Sequence, residues 1–223
     1  MRLFVTGTDT DVGKSVVTAC LAQAARRTGT VVAAKPVASG VAPGTAGEDA
    51  SLIAAAAGHA PVCFAAFAAL LSPHRAARLE GRAPPGSLLD DVAALSGDTV
   101  LVEGVGGWRV PLGGGWWNED VALAAGAQVV VVAADRLGVL NHTLLTIDAV
   151  RRAGLQVAAV VLNRGACAED VSRAHNLDDL RELTGLPVAV LAPLDPGDEA
   201  ARAEAGSQLW RAIVAVGAHA ACP

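Results

Sequence analysis

The 223 residues suffice to bury one well-formed core, and because 52% are hydrophobic but only 3% aromatic, that core must be built from Ala, Val and Leu. A net charge of -5, with no run of Lys or Arg, lacks the electrostatic footprint of a nucleic-acid binder. The apolar runs break off before membrane-spanning length, so neither a nucleic acid nor a membrane is expected as a partner.

The chain enters a strand at once, without a charged leader or cleavage site. Cys20, Cys63, Cys167 and Cys222 show neither metal nor redox spacing, which points to reduced thiols in a cytoplasmic protein. Residues 3–5 predict a strand and 14–28 a helix, with Arg26 and Arg27 in its last turn and Gly29 as its cap. A second strand follows at 31–35, helices at 49–57 and 88–96, and strands at 99–103 and 128–133. A helix at 142–152, strands at 157–163 and 187–193, and helices at 170–184 and 200–216 complete the pattern, while 58–85 has no clear periodicity. Continuous apolar strands separated by helices describe an α/β fold with a mostly parallel sheet and helices on both faces. No repeat or linker interrupts it, so residues 1–223 read as a single domain, with ligands expected at the carboxyl ends of the strands.

The stretch "VTGTDTDVGKS" lies between the first strand and the first helix, where a phosphate-binding loop belongs, although five residues rather than four separate Gly7 from Gly13. Backbone N–H groups of such a loop, together with the helix N-terminus, cradle phosphate oxygens. Thr8, Asp9, Thr10, Asp11, Val12, Gly13, Lys14, Ser15 and Val16 are therefore the candidate nucleotide contacts, with Lys14 on the terminal phosphates and the Ser15 hydroxyl on magnesium. Glu103 ends a buried strand, where a nucleotide-bound cation finds a carboxylate, and Asp49 is a further metal candidate that also fits a helix cap. Lys35 ends the second strand at the same edge and would face an anionic reacting group. Asn141, preceded by Gly138, suits a helix start, which is either an ordinary cap or a carboxylate site.

Taken together, "VTGTDTDVGKS", "KPVASG", "LSPH", "VEGVGGW", "LGVLNH" and "VLN" occur in the order found in the dethiobiotin synthetase family, which the chain resembles over nearly its whole length. The long gap between Gly7 and Gly13 is that family's form of the loop. The resemblance implies a P-loop NTPase-like fold with about seven strands. It also implies ATP- and magnesium-dependent conversion of 7,8-diaminopelargonate and CO2 (as CO2 or bicarbonate) to dethiobiotin, through a carbamate and a carbamic–phosphoric anhydride. It places Ser15, Asp49 and Glu103 on magnesium, Lys14 and Lys35 against the developing negative charge, and Thr10, Asp11, Ser39 and Gly106 beside the diamine and carbamate. Adenine would lie by Asn163 and the loop Pro193, Leu194 and Asp195. In a homodimer, Leu137, Gly138, Val139, Leu140 and Asn141 of the partner would grip the substrate carboxylate. Ser15 in place of Thr and Val105 in place of Ala depart from the family pattern, and the segment "GGGWWNED" matches none of it.

Three other functions compete. A P-loop amide-forming synthetase would need a glutaminase domain with a nucleophilic Cys, for which the chain ends too early. A plasmid-partition or division-site switch ATPase would place a second lysine at the position of Asp9. A scaffold that binds nucleotide without turnover would leave Lys35 and Asp49 idle.

Overall fold

The computed structural model describes residues 1–168 and 170–217. The chain begins with β1 (Arg2–Gly7), α1 (Lys14–Ala25), β2 (Val31–Ala34), β3 (Val37–Ser39), α2 (Glu48–Ala57), β4 (Ala65–Phe67), α3 (Pro73–Leu79) and α4 (Leu88–Ala93). It continues through β5 (Thr99–Gly107), β6 (Pro111–Gly113), β7 (Trp116–Trp117), α5 (Asn118–Ala124), β8 (Gln128–Ala134) and α6 (Val139–Arg152). The last elements are β9 (Val157–Asn163), α7 (Asn176–Thr184), β10 (Val188–Leu191) and α8 (Glu199–Gly217).

Six strands form the main sheet in the order β10-β9-β8-β1-β5-β2, and every pairing in it is parallel. About seven were expected. The short β3 and β4 pair with each other apart from that sheet, and β6 and β7 form an antiparallel hairpin. Each central strand sends alternate residues to opposite faces, as the two-residue period of a strand requires. Phe4, Val100, Val102, Val129 and Val131 pack with α4, α5, α6 and α7 through Leu88, Val121, Ile147 and Leu180. Leu3, Val5, Leu101, Val130 and Val132 pack with α1, α2 and α8 through Leu21, Ile53 and Leu209. With both faces covered, the strands carry apolar residues throughout.

Small residues let the helices approach closely. A Cβ on Gly206 of α8 would stand 2.1 Å from the carbonyl oxygen of Cys20 in α1. No helix among the described residues is long and apolar enough to cross a membrane.

Several boundaries differ from the sequence pattern. Helix α1 ends at Ala25, and its last turn holds no basic residue. Arg26 instead donates to the carbonyl of Ala56 at the end of α2, at 3.3 Å, where a cation meets the negative pole of that helix. Gly29 is not the cap; its Cβ would stand 2.6 Å from Asp98 Oδ2, so close passage of the two turns explains the glycine. Helix α6 starts at Val139, capped by Gly138 at φ 92°, which places Asn141 inside the first turn rather than at its entry. Residues 58–85, unassigned from periodicity, contain β4 and α3. The helix expected over 170–184 divides into a 3-10 turn, Val171–Ala174, and α7. Cys20, Cys63 and Cys167 are free thiols, and Cys222 lies outside the described residues.

Candidate active site

The site sits at the carboxyl ends of β1, β2 and β5. Leaving β1, the chain turns through Asp11 at φ 57° and Gly13 at φ 90°; Asp11 is the one non-glycine with positive φ among the described residues. Gly7 starts the turn because a Cβ there would lie 2.6 Å from the carbonyl oxygen of Asp9. Lys14, the first residue of α1, folds back over the loop and donates from Nζ to that same carbonyl at 3.2 Å. Burial lowers its pKa below the ordinary lysine value, while the Glu103 carboxylate opposes the shift. From the end of β9, Asn163 donates through Nδ2 to the carbonyl of Val12 at 3.0 Å and accepts the Gly165 N–H at 2.9 Å. This carboxamide ties the phosphate loop to the turn that follows β9.

Glu103, fully buried near the carboxyl end of β5, receives two donors on Oε1: Ser15 Oγ at 2.7 Å and Lys35 Nζ at 2.7 Å. Lys35 also pairs with Asp49, in the first turn of α2. Burial disfavours the Lys35 ammonium, but Glu103 and Asp49 outweigh it and raise the pKa. Burial likewise pushes Asp49 upward, and the charge and hydrogen bond of Lys35, helped by Ser15, bring it below the usual carboxylate range. The second oxygen of Glu103, Oε2, is buried without a partner. A buried carboxylate oxygen with no donor calls for a cation. Two carboxylates and a hydroxyl beside a phosphate cradle suit magnesium, which takes few protein oxygens and completes its shell with phosphates and water.

These groups open into a cavity of about 720 Å³. It brings together Thr10, Asp11, Gly13, Lys14, Ser15, Val16, Lys35, Ser39, Asp49 and Gly106, all expected from the sequence. Leu70, Leu71, Ser72, Pro73, Val105 and Val110 also line it and were not foreseen. Leu71, Ser72 and Pro73 were signalled only by "LSPH" within the otherwise patternless 58–85 segment, and Val105 only as a departure from the family pattern in "VEGVGGW".

The remaining candidates lie outside that lining. Thr8, Asp9 and Val12 contribute backbone to the loop, and Val12 is itself buried. The Pro193–Asp195 loop runs beside the turn after β9, with the Pro193 Cα 3.3 Å from where a Gly165 Cβ would be. The 137–141 segment forms the entry to α6 and is absent from the lining of its own chain's cavity. Within it, Leu137 and Asn141 are exposed, and Asp170 Oδ2 accepts the Leu137 N–H at 2.8 Å. Val139 is buried in the core, and its N–H donates to the Arg136 carbonyl at 3.1 Å.

Trp108 is buried in edge-to-face contact with Phe4, their centroids 6.0 Å apart. Trp116 and Trp117 form β7 of the hairpin, where Arg109 lies 5.1 Å over the Trp117 ring and pairs with Glu119. The tryptophan pair and His74 line a second cavity of about 710 Å³ that contains none of the phosphate-loop residues.

A glycine-bounded strand-to-helix loop ending in Gly-Lys-Ser, at the edge of a parallel sheet with a buried acid beneath it, defines a P-loop nucleotide-binding enzyme. A family model described as "AAA domain" matches residues 1–201. Among solved structures, the chain is similar to the cell division ATPase MinD of Pyrococcus furiosus, with a TM-score of 0.54 and 16% identity over 96% of this chain and 99% of that one. It is also similar to the septum site-determining protein MinD of Pyrococcus horikoshii complexed with Mg-ADP, with a TM-score of 0.52 and 14% identity over 99% of this chain and 98% of that one. At those identities the likeness describes the fold alone. Sequence similarity goes further. An ATP-dependent dethiobiotin synthetase BioD of Anaeromyxobacter sp. (strain Fw109-5) is 46% identical over 85% of this chain and 89% of its own length. Another, from Rhodococcus jostii (strain RHA1), is 44% identical over 87% of each. The chain belongs to the ATP-dependent dethiobiotin synthetase family.

Proposed function

We propose that this cavity closes the cyclic urea of dethiobiotin from 7,8-diaminopelargonate and CO2 at the expense of ATP, in biotin biosynthesis. The observation that carries the reading is the convergence of Lys14, Lys35, Ser15 and Asp49 with Thr10, Ser39 and Gly106 around one cavity, with the buried Glu103 bonded to Ser15 and Lys35 behind its wall.

One amine of the substrate attacks the carbon of CO2 and loses a proton, giving a carbamate. A carbamate oxygen then attacks the γ-phosphorus of ATP, and ADP departs. The second amine attacks the carbamoyl carbon and gives up a proton, phosphate leaves with the bonding electrons, and the ring closes. The middle step brings one anion against another, so its barrier is electrostatic. Lys14 answers it from the phosphate side and Lys35 from the carbamate side. Magnesium, when bound, supplies further neutralisation of the phosphates, and Ser15, Asp49 and Glu103 are the residues that would hold it. Thr10 and Ser39 orient the carbamate and the diamine, with Asp11 accepting from an amine. Ring closure is intramolecular and needs chiefly that the free amine be held near the anhydride.

Asn163 and the Pro193, Leu194 and Asp195 loop are assigned to adenine, since both lie beyond the phosphate loop on the β9 side. The Leu137–Asn141 segment is assigned to the substrate carboxylate of the partner subunit in a homodimer. Supporting this, the segment is absent from its own chain's cavity, and helix N–H groups there, at Leu140 and Asn141, precede the first intrahelical bond, from His142 to Gly138. We read the whole chain as one cytoplasmic domain, in keeping with a single sheet shared by both core clusters.

The test is ADP release from ATP, magnesium and bicarbonate with and without the diamine, with dethiobiotin followed by mass spectrometry. Release that requires the diamine and yields dethiobiotin is expected. Release indifferent to the diamine would point instead to a switch ATPase.

A further inference from the structure

We propose that Asn118 is a positioning residue for ring closure, its carboxamide standing in for a missing strand partner and so aiming Val105 and Gly106 at the substrate. The argument begins with the register of β5. Val5 pairs with Glu103 and Gly7 with Gly107, so β5 spends four residues where β1 spends two. The surplus chain bulges out of the ladder immediately after the metal-binding acid, and bulges beside active sites serve to re-aim chain. Bulged backbone loses its ladder partners, and buried N–H and C=O groups left unpaired are costly.

Asn118, the first residue of α5 and 1% exposed, supplies those partners. Its Oδ1 accepts the Val105 N–H at 3.2 Å, and its Nδ2 donates to the Val105 carbonyl at 2.7 Å and to the Gly107 carbonyl at 2.7 Å. A carboxamide thus pairs with Val105 as a peptide group of a neighbouring strand would, and both amide hydrogens are used. The Asn118 N–H also donates to the Val110 carbonyl at 3.2 Å, fastening a second wall residue of the cavity.

The neighbouring glycines show how little play the arrangement has. A Cβ on Gly104 would meet Phe4 Cζ at 2.8 Å and Asn118 Oδ1 at 3.2 Å, so no side chain fits between clamp and bulge. Gly106, at φ 60°, presses against the cavity: its Cβ would stand 3.1 Å from Val110 Cγ2 and 3.3 Å from Thr10 Oγ1. Asn118 touches none of the reacting groups and is absent from the cavity lining; it acts through the segment that does line it. None of the stretches that carry the family resemblance includes this residue, and the surrounding "GGGWWNED" carried no functional reading from sequence.

The inference rests on the placement of the diamine beside Gly106. Asn118→Asp keeps the size and one acceptor but loses both donors, and turns a charge toward two carbonyls. Asn118→Ser is the milder second variant. Each is expected to raise the diamine KM and lower kcat by about tenfold or more, as misplacement of a reacting group does. Affinity for a non-hydrolysable ATP analogue, measured by calorimetry without diamine, is expected to stay within about twofold, because the phosphate loop has its own anchor in Asn163. Loss of thermal stability with diamine kinetics unchanged, or a parallel loss of nucleotide affinity, would overturn the positioning role. Gly106→Ala separates the two levels. If it leaves the diamine KM unchanged, the placement of substrate is wrong; if it raises that KM and the Asn118 variants do not, the clamp alone fails. Hydrogen exchange on the unaltered protein supplies a check that needs no variant: the Val105 amide is expected to exchange slowly, and rapid exchange there overturns the proposal.

Discussion

Gly13 and Asn163 stand so close that a Cβ on the glycine would lie 2.0 Å from Nδ2 of the asparagine. The contact joins the last turn of the phosphate loop to the end of β9, a strand two places away in the sheet. It makes the loop's shape depend on a residue 150 positions later in the chain. Gly13→Ala has to hold φ near 90°, at a cost of roughly 1–3 kcal/mol, and must also displace Asn163. ATP-analogue affinity should fall at least tenfold, with a lower melting temperature. Calorimetry giving wild-type affinity would show that the loop does not need this contact.

Lys35 and Glu103 should fail in different ways. Lys35→Gln removes the cation assigned to the carbamate, and turnover should drop about 10²- to 10³-fold, the scale of a lost transition-state contact, while Mg-ATP still binds. Glu103→Gln should instead raise the magnesium concentration needed for half-maximal rate by about tenfold or more. Magnesium titrations of both variants decide the assignment; the reverse pair of phenotypes would exchange the two roles.

If the substrate carboxylate is held by the partner's α6 entry, two damaged chains can repair each other. Lys14→Ala and Asn141→Ala homodimers should both be poorly active at low diamine concentration. Mixed and re-equilibrated in equal amounts, they should recover about a quarter of wild-type turnover, because half the dimers are mixed and each mixed dimer has one intact site. No recovery under conditions of proven subunit exchange would place the whole site within one chain.

Burial pushes the Cys20 thiol up from 9.0 to about 11, with Arg202 opposing it. The unfolded chain therefore ionises this group first, and the neutral thiol of the folded state contributes stability that is complete below pH 9.0 and is lost as pH climbs through about 11. The difference amounts to roughly 3 kcal/mol at most. Cys20→Ala should flatten that part of the stability-versus-pH curve relative to the parent, as read by urea unfolding between pH 8 and 11. Identical slopes in parent and variant would mean that Cys20 ionises as freely in the folded protein as in the unfolded chain.

The sequence was most legible where one local rule governed. The runs Leu3–Val5 and Val129–Val132 are apolar at every position because each strand packs helices on both faces, and that reads directly as a parallel sheet. Lys14, Ser15, Lys35, Asp49 and Glu103 were legible as candidate chemistry because phosphate and magnesium call for those residue types at strand ends and at the helix starts that face them. Periodicity did less well at helix ends. Arg26 looked like the basic last turn of its own helix, yet it serves the C-terminus of α2, a choice made by packing. Asn141 looked like a cap, but Gly138 adopts the positive φ that starts α6.

By itself, then, the sequence determined the layer architecture and the phosphate loop, because apolar periodicity and glycine spacing act over neighbouring residues, and its ordered motifs carried the resemblance to the family. Only the tertiary structure decided that Lys35 lies between Asp49 and Glu103, that Asn163 holds Val12, and that Asn118 completes the β5 bulge. Each of those contacts joins separate elements of the chain through one to three hydrogen bonds. A polar side chain that satisfies distant backbone or a distant charge leaves no periodic trace in the sequence, since its partner is chosen by how the strands are ordered in space.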